Sequence, residues 1–248
     1  MTSETMTTRN DPTEVIMENR PQCAKCPRML CFPDIPAGEE PDFSSPPRFC
    51  PTVNKRDIIE KATLEYDRED VREFARLASL QEFQCYERFT GGLKTKIPRI
   101  EETIQFALKN GYKRLGIAFC VGLHSEARTL TDLLELNGFE VVSVCCKAGA
   151  IPKERIGIKP GEKIPGPDRF ESMCSPITQA EIINSEEVDF AILLGLCVGH
   201  DTLFIRYCRV PVTVLAVKDR VTGHNPLAAL YQVHSYYSRL LLPQRKEG

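Results

Sequence analysis

The fold of this chain is decided by the stretch 114-RLGIAFC-120, a short apolar run that begins at a basic residue and ends at a cysteine. Three similar runs follow at 139–146, 189–195 and 212–217, and each has the length of one buried strand. Segments with helical spacing separate them, at 125–137, 177–184 and 202–207. Strands that alternate with helices predict right-handed crossovers and a parallel sheet. We therefore predict an α/β, Rossmann-like domain over residues 111–248, with a doubly wound, mostly parallel sheet of four to five strands.

Three segments precede this domain. Residues 1–20 are polar and threonine-rich, which predicts a flexible tail. Residues 21–55 contain four cysteines and few core residues, so this segment needs a metal or a neighbouring domain to hold a shape. Residues 56–110 carry apolar side chains at helical spacing and form a predicted helical linker, with helices up to about residue 88 and over 100–109. At the other end, residues 226–241 are predicted to form one helix.

Composition excludes several classes of protein. The net charge of −2 favours no nucleic-acid partner, because such proteins carry clustered basic surfaces. No apolar run approaches the ~20 residues of a membrane-spanning helix, and the N-terminus lacks the apolar core of a secretory signal. We therefore expect a cytoplasmic protein. In that reducing compartment, metal binding or thiol chemistry accounts for 11 cysteines better than disulfides do.

Four of these cysteines form an N-terminal group with the spacing of metal ligands: Cys23, Cys26, Cys31 and Cys50. Two cysteines that are separated by two residues point both sulfurs at one ion, and four thiolates complete a zinc site or hold an iron–sulfur cluster. The spacing predicts a metal and does not select which one. A structural zinc site, an iron–sulfur cluster and unligated thiols all remain open.

A second group of cysteines follows the predicted strands. Cys120 ends the first strand, Cys145 and Cys146 end the second, Cys197 follows the third, and Cys174 precedes a helix. Ligands of open parallel sheets bind beyond the carboxyl ends of the strands, so we expect these cysteines to converge there. Polar residues accompany them in the sequence: His124, Lys147, His200, Asp201, Asp219 and His224.

This second group supports three interpretations. Cys120, Cys145 or Cys146, Cys174 and Cys197 could bind a second metal or iron–sulfur cofactor. Alternatively, Cys120, Cys146 and Cys197 are catalytic thiols with lowered pKa, assisted by Lys147 and His200. The third interpretation treats the cysteines as small buried hydrophobic residues, which is the prediction for Cys85 and Cys208. No phosphate-binding, dinucleotide-binding or serine-hydrolase motif occurs in the sequence.

Several longer motifs carry a resemblance to a known family. They are CAKC at 23–26, GIAFCVGL at 116–123, EVVSVCCKAG at 140–149, CSPITQAEIIN at 174–184, GLCVGHD at 195–201 and KDRVTGHNP at 218–226. With Cys31 and Cys50-Pro51, these motifs resemble the cysteine-rich prokaryotic proteins of domain of unknown function 1847, over roughly 21–241. Members are commonly labelled metal-binding proteins. The resemblance therefore implies a metal and supplies no reaction.

The sequence thus leads to one principal hypothesis and two rivals. The principal one is an iron–sulfur or thiol-based redox or sulfur-handling enzyme, with a small-molecule or redox partner. The first rival is a non-catalytic zinc-stabilised α/β module for binding or sensing. The second is a small-molecule-binding α/β protein in which the cysteines only pack.

Overall fold

The computed structural model describes residues 20–244, in which the chain divides into two compact units between Arg76 and Leu77. Apart from Arg20, the predicted tail at 1–20 lies outside the described residues. In the described part of the chain, no helix is both long enough and apolar enough to cross a membrane.

The first unit has little regular structure around its cysteines. A 3₁₀ turn spans Cys23–Lys25, followed by helices α1 (Pro51–Asn54) and α2 (Arg56–Thr63), and helix α3 (Glu69–Gln84) runs across the division into the second unit. None of the described residues 20–76 is buried. Residues 20–76 therefore form no hydrophobic core of their own, as their composition predicts.

The predicted helix that continued to residue 88 is wrong at its end. Helix α3 stops at Gln84, and the chain then forms an antiparallel hairpin from β1 (Tyr86–Phe89) and β2 (Gly92–Thr95). Gly91 has a φ of 108°, which is costly for other residues. Aromatic residues favour strands, and a Gly-Gly pair favours the tight turn between them. These preferences outweigh the helical spacing of the apolar residues in this segment.

The predicted parallel sheet is confirmed. It contains four strands, β3 (Arg114–Phe119), β4 (Glu140–Cys145), β5 (Phe190–Leu194) and β6 (Val212–Ala216). Their order is β4-β3-β5-β6 and every neighbouring pair is parallel. Apart from Arg114 at the start of β3, strands β3 and β5 are apolar and buried, as expected for central strands covered on both faces.

Helices cover both faces of this sheet. They are α4 (Arg99–Lys109), α5 (His124–Leu136), α6 (Pro176–Ser185) and α7 (His200–Tyr207). Ala107 and Leu130 pack in one hydrophobic cluster, whereas Ile183 and Phe204 pack in a second. The chain passes from β3 outward to β4, and then crosses to β5 and β6 on the other side of β3, so the sheet is doubly wound, with its switch point between β3 and β5.

The predicted final helix over 226–241 is wrong for most of its length. Only α8 (Leu227–Tyr231) is α-helical there, followed by turns and a 3₁₀ turn at Ser238–Leu241. The intervening residues 233-VHSYYS-238 are mostly weak helix formers, which explains the early end.

Candidate functional site

The backbone brings the ends of β3 and β4 together beyond the sheet. The N–H of Cys146 donates to the carbonyl oxygen of Phe119 at 2.9 Å, and the N–H of Cys120 donates to that of Leu194 at 3.1 Å. Since Phe119 and Cys145 are register partners, Cys120 and Cys146 are the next neighbours along the two strands. The sequence prediction that they converge at the carboxyl edge agrees with this arrangement.

A third cysteine reaches the same place through α6. The N–H of Ser175 donates to the carbonyl oxygen of Cys146 at 2.7 Å, which fixes the segment that carries Cys174. One turn further on, the buried amide of Gln179 donates to the carbonyl oxygens of Phe119 at 3.1 Å and Val144 at 2.7 Å. These hydrogen bonds hold the start of α6 against the ends of β3 and β4.

These three cysteines form what we call the thiol cluster: Cys120, Cys146 and Cys174. Cys146 lies between the other two: its N–H bonds to Phe119, which precedes Cys120, and its carbonyl oxygen bonds to Ser175, which follows Cys174. The Sγ of Cys146 also accepts the N–H of Val121 at 3.3 Å. Cys120 and Cys146 are buried, whereas Cys174 is only partly buried. Cys174 is therefore the member that a solute reaches first.

The contacts within the thiol cluster separate the pKa values of its members. Hydrogen bonding with Cys146 lowers the pKa of Cys120 to about 5, helped by Lys218. Hydrogen bonding with Cys146 likewise lowers the pKa of Cys174 to about 5, helped by Lys147 and by the charge of His200. The pKa of Cys146 is raised in return, because its proton serves both neighbours. One S–H proton donates to one sulfur at a time, so the three thiols titrate as a unit.

Two cations at this edge were absent from the predicted site. Lys218 is close enough to Cys120 to help lower its pKa. The Nζ of Lys218 also lies 3.7 Å from the position that a Cβ would take at Gly122. The Nη2 of Arg220 lies 3.1 Å from the Sγ of Cys197. Both residues follow β6, and the rule that placed the cysteines beyond strand ends also applies to them. Asp219 and His224 of this loop were among the predicted polar residues, whereas the cations on either side of Asp219 were not.

The other predicted site residues have different surroundings. His200 is the first residue of α7, and its N–H donates to the carbonyl oxygen of Cys197 at 3.0 Å. The Nζ of Lys147 also donates to the carbonyl oxygen of Ser172 at 2.6 Å. Cys145 is the last residue of β4 and directly precedes Cys146. No hydrogen bond joins Cys145 to the thiol cluster among residues 20–244.

Several polar candidates have structural roles. The Nδ1 of His224 accepts the N–H of Asp219 at 3.1 Å, which closes a turn. The ring of His124 lies edge-on to Phe119, with 6.1 Å between the ring centroids. The thiol of Cys85 donates to the carbonyl oxygen of Gln81 at 3.3 Å, and burial raises the pKa of Cys208, as expected for packing residues.

The N-terminal cysteines share one cavity of about 140 Å³, which Cys23, Cys26, Cys31 and Cys50 line together with Met29, Leu30, Pro47, Phe49, Pro51 and Thr52. The donor set is four thiols, which suits zinc or an iron–sulfur cluster. Within residues 20–244, however, no three His, Cys, Asp or Glu side chains are arranged as a group that could hold a metal ion. The N-terminal metal site stays a prediction.

The second unit is thus an α/β protein with a cluster of thiols and cations at the switch point of a parallel sheet. The chain belongs to the family described as protein of unknown function DUF1847, which matches residues 50–215. It is also 38% identical over 224 residues to an uncharacterized protein of Methanocaldococcus jannaschii, covering 89% of this chain and 98% of the relative. The predicted family is confirmed, and the matched range contains Cys50 and the thiol cluster.

Proposed function

We propose that this protein is a thiol-based redox enzyme that exchanges a disulfide with a small molecule or a redox partner. One observation carries the proposal: main-chain bonds bring three cysteines from three separate segments together at the carboxyl edge of the sheet. Such a place is where open α/β sheets bind ligands. Lys218 helps to lower the pKa of Cys120 and Lys147 helps to lower that of Cys174, and cations favour the thiolate, which is the nucleophile.

The first step assigns the attack to Cys174. Its thiolate attacks one sulfur of a substrate disulfide, a bond forms between the two sulfurs, and the second substrate sulfur leaves as a thiolate. Cys174 suits this role because it is the member of the thiol cluster that is not fully buried. Lys147 lies beside it and favours the ionised sulfur before the attack.

The second step assigns the resolution to Cys146 and the proton transfer to Cys120. Cys146 holds a proton that it must lose before its sulfur attacks the mixed disulfide on Cys174. The neighbouring Cys120 thiolate accepts that proton, because Cys146 is the main cause of the low pKa of Cys120 and that pKa rises once the S–H of Cys146 is gone. The products are a disulfide between Cys146 and Cys174, a second substrate thiolate, and a protonated Cys120. The substrate disulfide gains two electrons, and the protein loses two.

The test is the reaction of the reduced protein with bis(2-hydroxyethyl) disulfide, followed by peptide mass spectrometry. We expect one disulfide that joins Cys146 and Cys174. The variant Cys146→Ser should stop at a mixed disulfide on Cys174, because the resolving sulfur is missing. Cys174→Ser should remove the reaction at this site.

The matched control is Cys208→Ser, which removes a half-buried thiol of the same sheet domain that is not in the thiol cluster. It should react like the unaltered protein. A mixed disulfide that never forms on Cys174, or that forms equally on Cys208, would contradict the proposal.

A second function is favoured by a separate observation, which is the cavity that the four N-terminal cysteines share. We propose that Cys23, Cys26, Cys31 and Cys50 hold zinc or an iron–sulfur cluster. The bound group would stabilise a unit in which no described residue is buried. It would supply rigidity in the zinc case and electron transfer in the iron–sulfur case.

The test is the metal and acid-labile sulfide content of protein purified without oxygen. Cys23→Ser and Cys50→Ser should each lower the bound metal, whereas Cys174→Ser should leave it unchanged. Loss of iron and sulfide on Cys174→Ser would instead place a cluster at the carboxyl edge, and it would contradict the exchange reaction. Neither metal nor sulfide in the unaltered protein would contradict the second function.

A further inference from the structure

We infer that the substrate of the thiol cluster carries an anionic group, such as a carboxylate, near its reacting sulfur, and that Arg220 binds that group. This inference rests on the proposed exchange reaction and adds the chemical class of its substrate. It is carried by the cations of the carboxyl edge, their lack of carboxylate partners, and the exposure of the guanidinium.

Arg220 is placed to meet a ligand that approaches the cluster. Its guanidinium is almost unburied and donates from Nη2 to Cys197, a weak sulfur acceptor. The charges of Cys120 and Cys174 also act on it and help to raise the pKa of Arg220, after Cys197 itself. Most of its five N–H donors therefore stay open toward the solvent beside the thiol cluster.

The cations of this edge also lack the partners that cations have elsewhere in the chain. Lys153 pairs with Glu171 at 2.9 Å and Arg209 with Glu181 at 3.0 Å. Among the described residues, no carboxylate oxygen lies within 4 Å of the side-chain nitrogens of Lys147, Lys218 or Arg220. Carboxylates interact with these lysines at longer range, Glu126 with Lys218 and Glu171 with Lys147.

The proposed reaction leaves these cations with less negative charge to balance. In the reduced protein, the ionised sulfurs of the thiol cluster face Lys147, Lys218 and Arg220. The exchange converts Cys174 into a neutral disulfide and places the proton of Cys146 on Cys120. A substrate that brings a carboxylate compensates for that loss, and arginine binds carboxylates through paired hydrogen bonds.

The experiment compares three disulfides of different charge at low ionic strength. They are 3,3′-dithiodipropionate, which is anionic, bis(2-hydroxyethyl) disulfide, which is neutral, and cystamine, which is cationic. The readout is the rate of oxidation at Cys174, expressed as the ratio of the anionic to the neutral rate. We expect a ratio of about ten, which falls as salt is added.

Two variants test the assignment to Arg220. Arg220→Gln should bring the ratio close to one, whereas Arg220→Lys should retain most of it. The matched control is Arg209→Gln, which changes the net charge equally but removes a guanidinium that pairs with Glu181. This control should keep the ratio of the unaltered protein.

The outcomes separate this inference from the exchange reaction on which it rests. Equal rates for the neutral and anionic disulfides in the unaltered protein would overturn the anion site and leave the exchange reaction standing. An equal fall of the ratio in Arg209→Gln and Arg220→Gln would also overturn it, because net charge would then explain the preference. No oxidation of Cys174 by any of the three would overturn both.

Discussion

The N–H of Ser175 donates to the carbonyl oxygen of Cys146 at 2.7 Å and thereby joins two segments that are far apart in sequence. Cys146 directly follows a strand, and Ser175 directly precedes a helix. Their backbone bond holds Cys174 beside Cys146 without any contribution from the thiols. The thiol cluster is thus positioned by the main chain, so single cysteine substitutions should change its chemistry more than its shape.

The pH dependence of alkylation at Cys174 tests the hydrogen bond from Cys146. In the unaltered protein, the rate of reaction with iodoacetamide should be flat above about pH 6 and fall as the pH drops through about 5. Cys146→Ala removes the hydrogen bond, so the pKa of Cys174 should rise and the rate at pH 6 should fall by about tenfold or more. Peptide mass spectrometry measures the modified fraction at this position.

Cys146→Ser is the control for this measurement. Its hydroxyl still donates a hydrogen bond, so it should keep much of the lowered pKa. If Cys146→Ala and the unaltered protein show the same inflection, Lys147 and His200 rather than Cys146 control the ionisation of Cys174.

Stability should depend on pH through the same thiols. Cys120 and Cys174 have a lower pKa in the folded protein than the ordinary value of 9.0, so the unfolded chain binds more protons between about pH 5 and 9. The free energy of unfolding should therefore rise with pH across this window. Above about pH 9, the free energy of unfolding should fall as the pH rises. The pKa of Cys146 is raised in the folded protein, so the folded chain then binds more protons than the unfolded chain.

Urea unfolding at several pH values, under reducing conditions, measures this dependence. The double variant with Cys120→Ala and Cys174→Ala should lose most of the rise. Cys85→Ala, which removes a thiol remote in sequence from the cluster, should retain it. A rise of the same size in the double variant would assign the pH dependence to other groups.

Gly195 is expected to tolerate no side chain. Its φ is +69°, and a Cβ there would lie 2.0 Å from Cδ1 of the buried Leu123. Gly195→Ala should lower the free energy of unfolding by about 2–4 kcal/mol, from left-handed backbone strain and overpacking together. Thermal unfolding checks this value. Gly161→Ala, where a Cβ would meet nothing within 4 Å, should change stability by less than about 0.5 kcal/mol.

Protease sensitivity tests the proposed N-terminal metal. Without a buried core, residues 20–76 should be cleaved rapidly once a strong chelator removes the metal, because metal binding and folding are coupled in such segments. The sheet domain should resist under the same conditions. Cys23→Ser should be cleaved rapidly without chelator, and Cys197→Ser should behave like the unaltered protein. Equal resistance with and without chelator would argue against a structural metal.

The sheet was predictable because its strands are short apolar runs that end where polar residues begin. Cys120, Cys146 and Cys174 were predictable as neighbours because parallel strands end at one edge. Arg220 was not selected, although the strand before it was predicted, because an exposed arginine after a strand is usually only a solvated charge and carries no signal of its own. The hairpin at 86–95 was missed for a different reason: its apolar residues continue the spacing of the preceding helix, and only the Gly91-Gly92 pair indicates the turn.

The single proton of Cys146 has an electrochemical consequence. An ordinary dithiol loses two protons with its two electrons, and its reduction potential changes by about 60 mV per pH unit. Here Cys174 is already ionised near neutral pH, and the proton of Cys146 passes to Cys120 instead of to the solvent. The couple then exchanges electrons with almost no net exchange of protons with water. Its reduction potential should stay nearly constant while the pH of the surroundings changes.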